Sequence, residues 1–237
     1  MNASSPEPRA AAVVVAGGTG LRVGGPVRKQ YLEIAGLPVL LRAVLPFLHH
    51  PRITRVAVVL PAGDAASPPP WLAALDVRLL AGGRERGDSV LHGLRALEDE
   101  SPDLVLVHDG ARPFVTRDVI DRVLDACREG GAIAAVPVTD TIKQVDGDGV
   151  ITATPDRARL WQAQTPQGFP YHAIRDAYER AARDGLAATD DAAVYERHHG
   201  PVRVVMGSPR NLKVTRPDDL LLAEALAASA EDATELG

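Results

Sequence analysis

The chain has 237 residues, 46% of them hydrophobic and 24% charged, with a formal net charge of −5. That is enough apolar material for one sizeable domain and excludes a disordered chain; the acidic balance argues against a general nucleic-acid binder, while an anionic small ligand needs only local positive charge. A single cysteine, Cys127, rules out an intrachain disulfide framework or a cysteine metal site, and no apolar run approaches the ~20 residues of a membrane span.

Residues 1–10 are polar and lack the apolar segment of a signal peptide, so they read as a flexible tail on a cytoplasmic protein. Mostly apolar runs then recur at 11–15, 56–60, 77–80, 104–107, 132–138 and 202–206. They are rich in Val, Leu, Ile and Ala and barely alternate, which predicts strands buried on both faces of a mostly parallel sheet. Between them lie segments of helical period. The first spans 38–49, where Pro46 should kink or shorten the helix. Helices follow at 89–98 and at 117–129, the latter with Thr116 as N-cap and Cys127 among its inward residues, then at 171–183 and 217–228. Ser67-Pro68-Pro69-Pro70 reads as a stiff surface loop. Strands alternating with helices predict an α/β sandwich with crossover connections. Residues 139–160 break that rhythm: strands 141–145 and 150–154 flank Asp146-Gly147-Asp148-Gly149, a turn sequence, and so read as a hairpin. Two strands alone are marginal in water, so the hairpin needs a packing partner in its own domain or in another subunit. Residues 229–237 should fray.

Four stretches could carry chemistry. The first, Ala16-Gly17-Gly18-Thr19-Gly20-Leu21-Arg22, follows a buried strand, and Lys29 comes seven residues after Arg22. Val23 stands where a dinucleotide fingerprint needs its third glycine, and no P-loop pattern exists. A phosphate cradle with two cations beyond it remains, beside the simpler reading of a tight turn with solvated cations. The second stretch runs from strand 104–107 through His108 to Asp109, Gly110 and Arg112. An acid beyond a strand's C-terminal end can hold Mg²⁺, or can simply cap the next turn. His108 reads as a packed or hydrogen-bonded residue. The third, Gly82-Gly83-Arg84-Glu85-Arg86-Gly87-Asp88-Ser89, could let a flat base approach the backbone with Ser89 supplying a hydroxyl, or could be a loop and N-cap. The fourth, Asn211 to Asp218, places Thr215 and Asp218 at capping-box spacing, with Lys213 facing either a ligand or solvent.

In order and spacing these stretches resemble the 2-C-methyl-D-erythritol 4-phosphate cytidylyltransferases. The resemblance runs from about residue 11 to 228 and is carried by A-G-G-T-G-L-R (16–22), R-K-Q-Y (28–31), G-G-R-E-R-G-D-S-V (82–90), V-H-D-G-A-R-P (107–113), D-T-I-K (140–143), Q-T-P-Q-G-F (164–169), T-D-D-A (189–192) and N-L-K-V-T-R-P-D-D-L (211–220). It implies a Rossmann-like three-layer sandwich over 11–228 with 139–160 inserted as a protruding β-arm that makes a homodimer. It implies CTP and a sugar-alcohol phosphate as substrates, Mg²⁺ or a similar divalent ion as cofactor, and pyrophosphate as leaving group. By the same resemblance Ala16, Gly17, Gly18, Thr19 and Gly20 would wrap the nucleotide, Gly83 and Ser89 would read cytosine, and Gly110 would line the ribose. Asp109 would hold the metal. Arg22 and Lys29 would act on the charged transition state at the α-phosphorus. Arg112, Thr165, Thr189 and Lys213 would surround the sugar phosphate, with Thr141 and Arg157 reaching it from the partner's arm.

The family pattern has alanine where this chain has Gly17 and Gly110, a change expected to loosen both loops. A sister activity on ribitol 5-phosphate is the nearest alternative. A catalytically silent nucleotide-binding protein is disfavoured by the joint presence of Arg22, Lys29, Asp109 and Lys213, and a dehydrogenase by the failed dinucleotide fingerprint.

Overall fold

The structure, a computed structural model, describes residues 7–18, 28–185 and 189–229. The first apolar run forms β1 (Ala10–Val15). A two-stranded ribbon, β2 (Glu33–Ile34) and β3 (Leu37–Pro38), leads into α1 (Val39–Leu48). Then come β4 (Ile53–Leu60), the short α2 (Ala62–Ala66) and α3 (Pro70–Ala73), β5 (Arg78–Ala81) and α4 (Arg86–Arg95). β6 (Leu104–Asp109), α5 (Arg117–Ala126) and β7 (Gly131–Pro137) follow. Two short strands, β8 (Gln144–Val145) and β9 (Ile151–Ala153), pair only with each other. The chain continues with β10 (Trp161–Pro170), α6 (Tyr171–Arg183), α7 (Asp191–His198), β11 (Val202–Met206) and α8 (Pro217–Ala227).

Seven strands make the central sheet in the order β11-β7-β10-β6-β1-β4-β5. β10 runs antiparallel to both of its neighbours and every other pair is parallel. β1 shows why these runs are apolar throughout. Ala10, Ala12 and Val14 pack on one face with Leu40 and Phe47 of α1 and Val119 and Val123 of α5. Ala11 and Val13 pack on the other with Leu94 of α4, Ile174 of α6 and Val194 of α7. A strand covered on both faces has no polar side to alternate with. The result is the three-layer α/β sandwich. α8 closes a smaller cluster of Ile34, Val39, Phe114, Val214 and Ala223. Among the described residues no helix is long and apolar enough to cross a membrane.

Several local expectations change. α1 passes through Pro46 to Leu48 and is not shortened, because Val39, Leu40, Ala43, Val44 and Phe47 anchor it along one buried face. α4 starts three residues before the predicted 89, since the Asp88 carboxylate accepts the Glu85 N–H (3.0 Å) and caps the helix from Glu85. Thr116 occupies the N-cap of α5, but its side chain makes no capping bond. Pro70 of the expected stiff loop is instead the first residue of α3. β10 and α7 lie in stretches without a predicted element. In the hairpin, residues 139–154 are all exposed, and the strands are shorter than predicted. Its turn is held by Asp146, whose carboxylate accepts the N–H groups of Asp148 (3.0 Å) and Val150 (2.9 Å).

Candidate active site

The parallel strands β1, β4, β5 and β6 end at one edge, where open α/β sheets bind ligands. Three of the loops leaving that edge, those after β1, β5 and β6, are tied at their roots to a neighbouring strand. Ala16 N–H donates to Val59 O (2.8 Å), Gly82 N–H to Leu60 O (2.7 Å) and Gly110 N–H to Val15 O (2.9 Å). The fourth stretch is drawn over the same edge by Val214 N–H donating to Ala111 O (2.8 Å). Lys29 Nζ donates to Val214 O (3.2 Å), so the first and fourth stretches meet. Between them lies a cavity of about 490 Å³.

Of the predicted site residues, Ala16, Gly17, Gly18, Lys29, Gly83, Ser89, Asp109, Gly110 and Lys213 line this cavity together. The lining carries four cations, Lys29, Arg84, Arg86 and Lys213, against two carboxylates, Glu85 and Asp109. A chain that is acidic overall therefore concentrates positive charge here, as a polyanion site requires. Thr19, Gly20 and Arg22 lie outside the described residues.

Asp109 is the electrostatic centre. Its Oδ2 lies 2.8 Å from Lys213 Nζ and 3.9 Å from Arg112 Nε, and its Oδ1 accepts from Arg86 Nε at 3.1 Å. Burial alone would push its pKa up; Arg86, then Lys213 and Arg112, outweigh that and hold the carboxyl well below the usual range. The group is ionised at any physiological pH. Its backbone is also fixed: Asp109 N–H donates to Thr165 Oγ1 (3.0 Å), which lies 2.9 Å from His108 Nδ1. His108 Nε2 lies 3.1 Å from Arg112 O, a pure acceptor, so the proton sits on Nε2 and Thr165 donates to Nδ1. Burial pushes the His108 pKa down to about 4 and keeps the ring neutral. His108 is thus a packed, hydrogen-bonded residue, as its sequence position suggested.

Ser89 sits in the first turn of α4, not at its cap. Its hydroxyl accepts from Gly83 N–H (3.1 Å) and donates to Glu85 O (3.2 Å), which shapes the Gly82-Gly83 loop. A Cβ on Gly17 would lie 3.1 Å from Ser89 Oγ, so glycine lets the first loop sit close against this hydroxyl. Gly110 sits in a close-packed place. The residue is buried, tied to Val15, and the space a Cβ would need is already filled by Leu40 Cδ1 at 2.8 Å.

Other predicted residues fall elsewhere. Arg112 stands behind the cavity wall, with Nη1 donating to Asn211 O (2.8 Å). Thr165 is buried and its hydroxyl is engaged by Asp109 and His108, not turned to the cavity. Thr189 is exposed, just before the α7 N-cap Asp190. Thr141 and Arg157 lie on the exposed hairpin segment, where Arg157 Nη1 donates to Thr139 O (2.8 Å), and neither lines this chain's own cavity. The cap acid near Lys213 is Asp219, not Asp218: its Oδ2 accepts the N–H groups of Thr215 (2.6 Å) and Arg216 (2.8 Å) and the Thr215 hydroxyl (2.8 Å).

Three residues that shape the site were not singled out from the sequence. Gln30 is buried, and its Nε2 donates to Ala16 O (3.2 Å), pinning the glycine loop. Arg86 bridges two acids, Asp109 and the fully buried Asp191. All three belong to the stretches quoted above, and polar or charged residues inside such stretches were the available signal.

The family model for 2-C-methyl-D-erythritol 4-phosphate cytidylyltransferase (IspD) matches residues 10–229. The protein of that name from Syntrophus aciditrophicus (strain SB) is 45% identical over 225 residues, covering 92% of this chain and 96% of its own length. The crystal structure of 2-C-methyl-D-erythritol 4-phosphate cytidylyltransferase from Thermus thermophilus superposes with a TM-score of 0.79 at 36% identity, over 93% of this chain and 100% of that one. The 4-diphosphocytidyl-2C-methyl-D-erythritol synthase from Anaerococcus prevotii superposes with a TM-score of 0.83 at 29% identity, over 94% and 97%. In sequence across nearly its whole length and in fold, the chain belongs to the 2-C-methyl-D-erythritol 4-phosphate cytidylyltransferase family.

Proposed function

We propose that the chain transfers CMP from CTP to 2-C-methyl-D-erythritol 4-phosphate, giving 4-diphosphocytidyl-2-C-methyl-D-erythritol and pyrophosphate. The observation that carries this reading is the cation-lined cavity at the strand ends, where Lys29, Asp109 and Lys213 converge on a glycine loop in a chain of this family. The relatives described above are named for methylerythritol phosphate, which favours that acceptor over ribitol 5-phosphate.

A phosphate oxygen of the acceptor forms a bond to the α-phosphorus of CTP as the bond to the β-phosphate oxygen breaks and pyrophosphate leaves in line. The attacking phosphate has a second pKa of about 6, so it is already ionised and no general base is needed. Catalysis then consists of bringing two polyanions together and balancing the charge that gathers at phosphorus. Lys29 lines the cavity with its ammonium donating to Val214 O, and it is assigned with Arg22 to the transition-state charge. Lys213 has a side chain 40% exposed and can exchange its Asp109 partner for a substrate phosphate. The glycine loop and the Gly83–Ser89 pair are assigned to phosphates and base.

A divalent cation such as Mg²⁺ fits this donor set. Asp109 is ionised at the cavity wall, and Mg²⁺ takes one or two carboxylates and fills its other positions with phosphate oxygens and water. Among the described residues no group of three or more His, Cys, Asp or Glu could hold a metal; Asp109 is the residue assigned to the ion. Bound there, the ion would neutralise phosphate charge.

The hairpin is assigned to a homodimer. It presents Ile142, Val145, Val150 and Ile151 at 39–60% exposure, and an apolar two-stranded hairpin is stable only against a partner. A second copy would cover it and would bring Arg157 and Thr141 to the partner's cavity. The reaction reading is tested by following pyrophosphate release from CTP with Mg²⁺. Release should depend on methylerythritol phosphate, and none above the no-acceptor rate would refute it.

A further inference from the structure

One cation of the cavity lining, Arg86, is paired with an acid behind the wall, and the proposed reaction gives that pair no role. Asp191, the first residue of α7, is fully buried. Both of its oxygens are taken by one guanidinium: Arg86 Nη1 donates to Oδ1 (2.9 Å) and Nη2 to Oδ2 (2.8 Å). The Tyr178 hydroxyl, from α6, donates to Oδ1 as well. The remaining donor edge of Arg86, Nε, points the other way and holds Asp109 Oδ1 at 3.1 Å. We propose that Asp191, supported by Tyr178, is a positioning residue for the reaction, acting on the Asp109 carboxylate solely through Arg86; the inference rests on the cytidylyl-transfer reading.

Stability alone does not explain the pair. A buried carboxylate–guanidinium contact is weak evidence for stability, because well-packed apolar residues serve as well. What such residues could not do is fix the orientation of Arg86. Its planar fork is locked by the bidentate bond, so the direction of Nε is set by α7 and α6, not by solvent. Asp109 consequently has two unlike edges. Oδ1 is held by an arginine whose own fork is fixed on the fully buried Asp191, while Oδ2 meets the flexible ammonium of Lys213 on the cavity side. The carboxylate keeps one orientation while its outer edge stays free to exchange partners. Lysine could not replace Arg86, since a single ammonium cannot span Asp191 and Asp109 with this fork.

The test uses steady-state kinetics on Asp191→Asn, Tyr178→Phe, Arg86→Gln and the Asp191→Asn/Arg86→Gln pair, with methylerythritol phosphate saturating. Asp191→Asn should lower kcat by about tenfold to hundredfold, the scale of a misplaced catalytic group, with KM for CTP nearly unchanged. Tyr178→Phe should lower kcat roughly two- to fivefold, as one hydrogen bond is lost. Adding Asp191→Asn to Arg86→Gln should cost nothing more, because the route from Asp191 to Asp109 is already cut. An activity-independent arm follows the Arg86 Nε–H signal by ¹⁵N NMR, assigned by its loss in Arg86→Lys. It should be protected from exchange in the wild-type chain and lose that protection in Tyr178→Phe and Asp191→Asn. Unchanged kcat in a folded Asp191→Asn, multiplied losses in the pair, or an unchanged Nε–H signal would each overturn the proposal. Should Asp191→Asn fail to fold, Tyr178→Phe decides by both readouts. Absence of wild-type turnover would refute the reaction reading, with the NMR arm still deciding whether Asp191 fixes Arg86.

Discussion

Thr165 is where the family resemblance and the geometry assign different work, and Thr165→Val separates them. In the structure its hydroxyl receives the Asp109 N–H at 3.0 Å and donates to His108 Nδ1 at 2.9 Å, in a site 4% exposed. Valine keeps the shape and strips both partners, leaving a buried N–H and a buried imidazole nitrogen unpaired. Each such group costs about 1–3 kcal/mol, so the variant should lose roughly 2–6 kcal/mol of stability. For a chain of this size each kcal/mol moves Tm by about 2–4 °C, which predicts a fall of about 4–24 °C. Because Asp109 is anchored by the same hydroxyl, kcat should fall with it. Thr165→Ser keeps the hydroxyl and loses one methyl group, and should cost only about 1 kcal/mol. Calorimetry, with kinetics against each substrate, reads all of this. A Thr165→Val variant with wild-type Tm and only a raised KM for the sugar phosphate would refute the reasoning and place the hydroxyl on substrate.

Four further outcomes follow from the same geometry. The His108 pKa is pushed down from 6.5 to about 4, so between those values only the unfolded chain takes up the proton; wild-type stability should fall as pH drops through that window, by about 3 kcal/mol at its foot, and His108→Asn should show a flatter Tm profile from pH 7 to 4. Gly110→Ala forces its methyl group against Leu40 and Ala16 and should cost about 1–3 kcal/mol, with Leu40→Val in the same chain recovering part of it in a chemical-denaturation cycle. Lys29→Ala should lower kcat by roughly 10²–10³ with little change in KM for CTP, and near-normal turnover would remove it from the transition state. Mixing inactive Arg22→Ala and Arg157→Ala chains should restore activity through heterodimers with one intact site; no recovery after verified subunit exchange would contradict the shared site.

The strands buried on both faces announced themselves through unbroken Val, Leu and Ala runs, and with them the parallel sheet and the edge that carries the cavity. β10 did not, because its central residues, Gln164, Thr165 and Gln167, are buried as polar groups whose bonds are satisfied within the fold. Gln164 exchanges bonds with Ser208 (2.8 and 3.3 Å), and Gln167 bonds Asp190 (3.0 Å) and the Ala192 N–H (2.8 Å). No periodicity reveals a strand whose core is hydrogen-bonded instead of apolar. α7 is short, and only its partners on α6 and β10 show which face turns inward. The glycine loop, Asp109 and Lys213 were legible from motif and strand-end position. Arg86 and Asp191 were not, since their significance is a juxtaposition of residues 105 positions apart. The one-residue error between Asp218 and Asp219 has a similar cause: spacing finds a capping acid, and only the backbone direction at Thr215 and Arg216 decides which one turns in.

One transfer underlies the whole reading. The purified chain, given CTP, Mg²⁺ and an equimolar mixture of 2-C-methyl-D-erythritol 4-phosphate and ribitol 5-phosphate, can be read by product mass and pyrophosphate together. The predicted result is 4-diphosphocytidyl-2-C-methyl-D-erythritol as the dominant product, in step with pyrophosphate. A cytidylylated ribitol as the main product, or CTP left intact with both acceptors present, would contradict it.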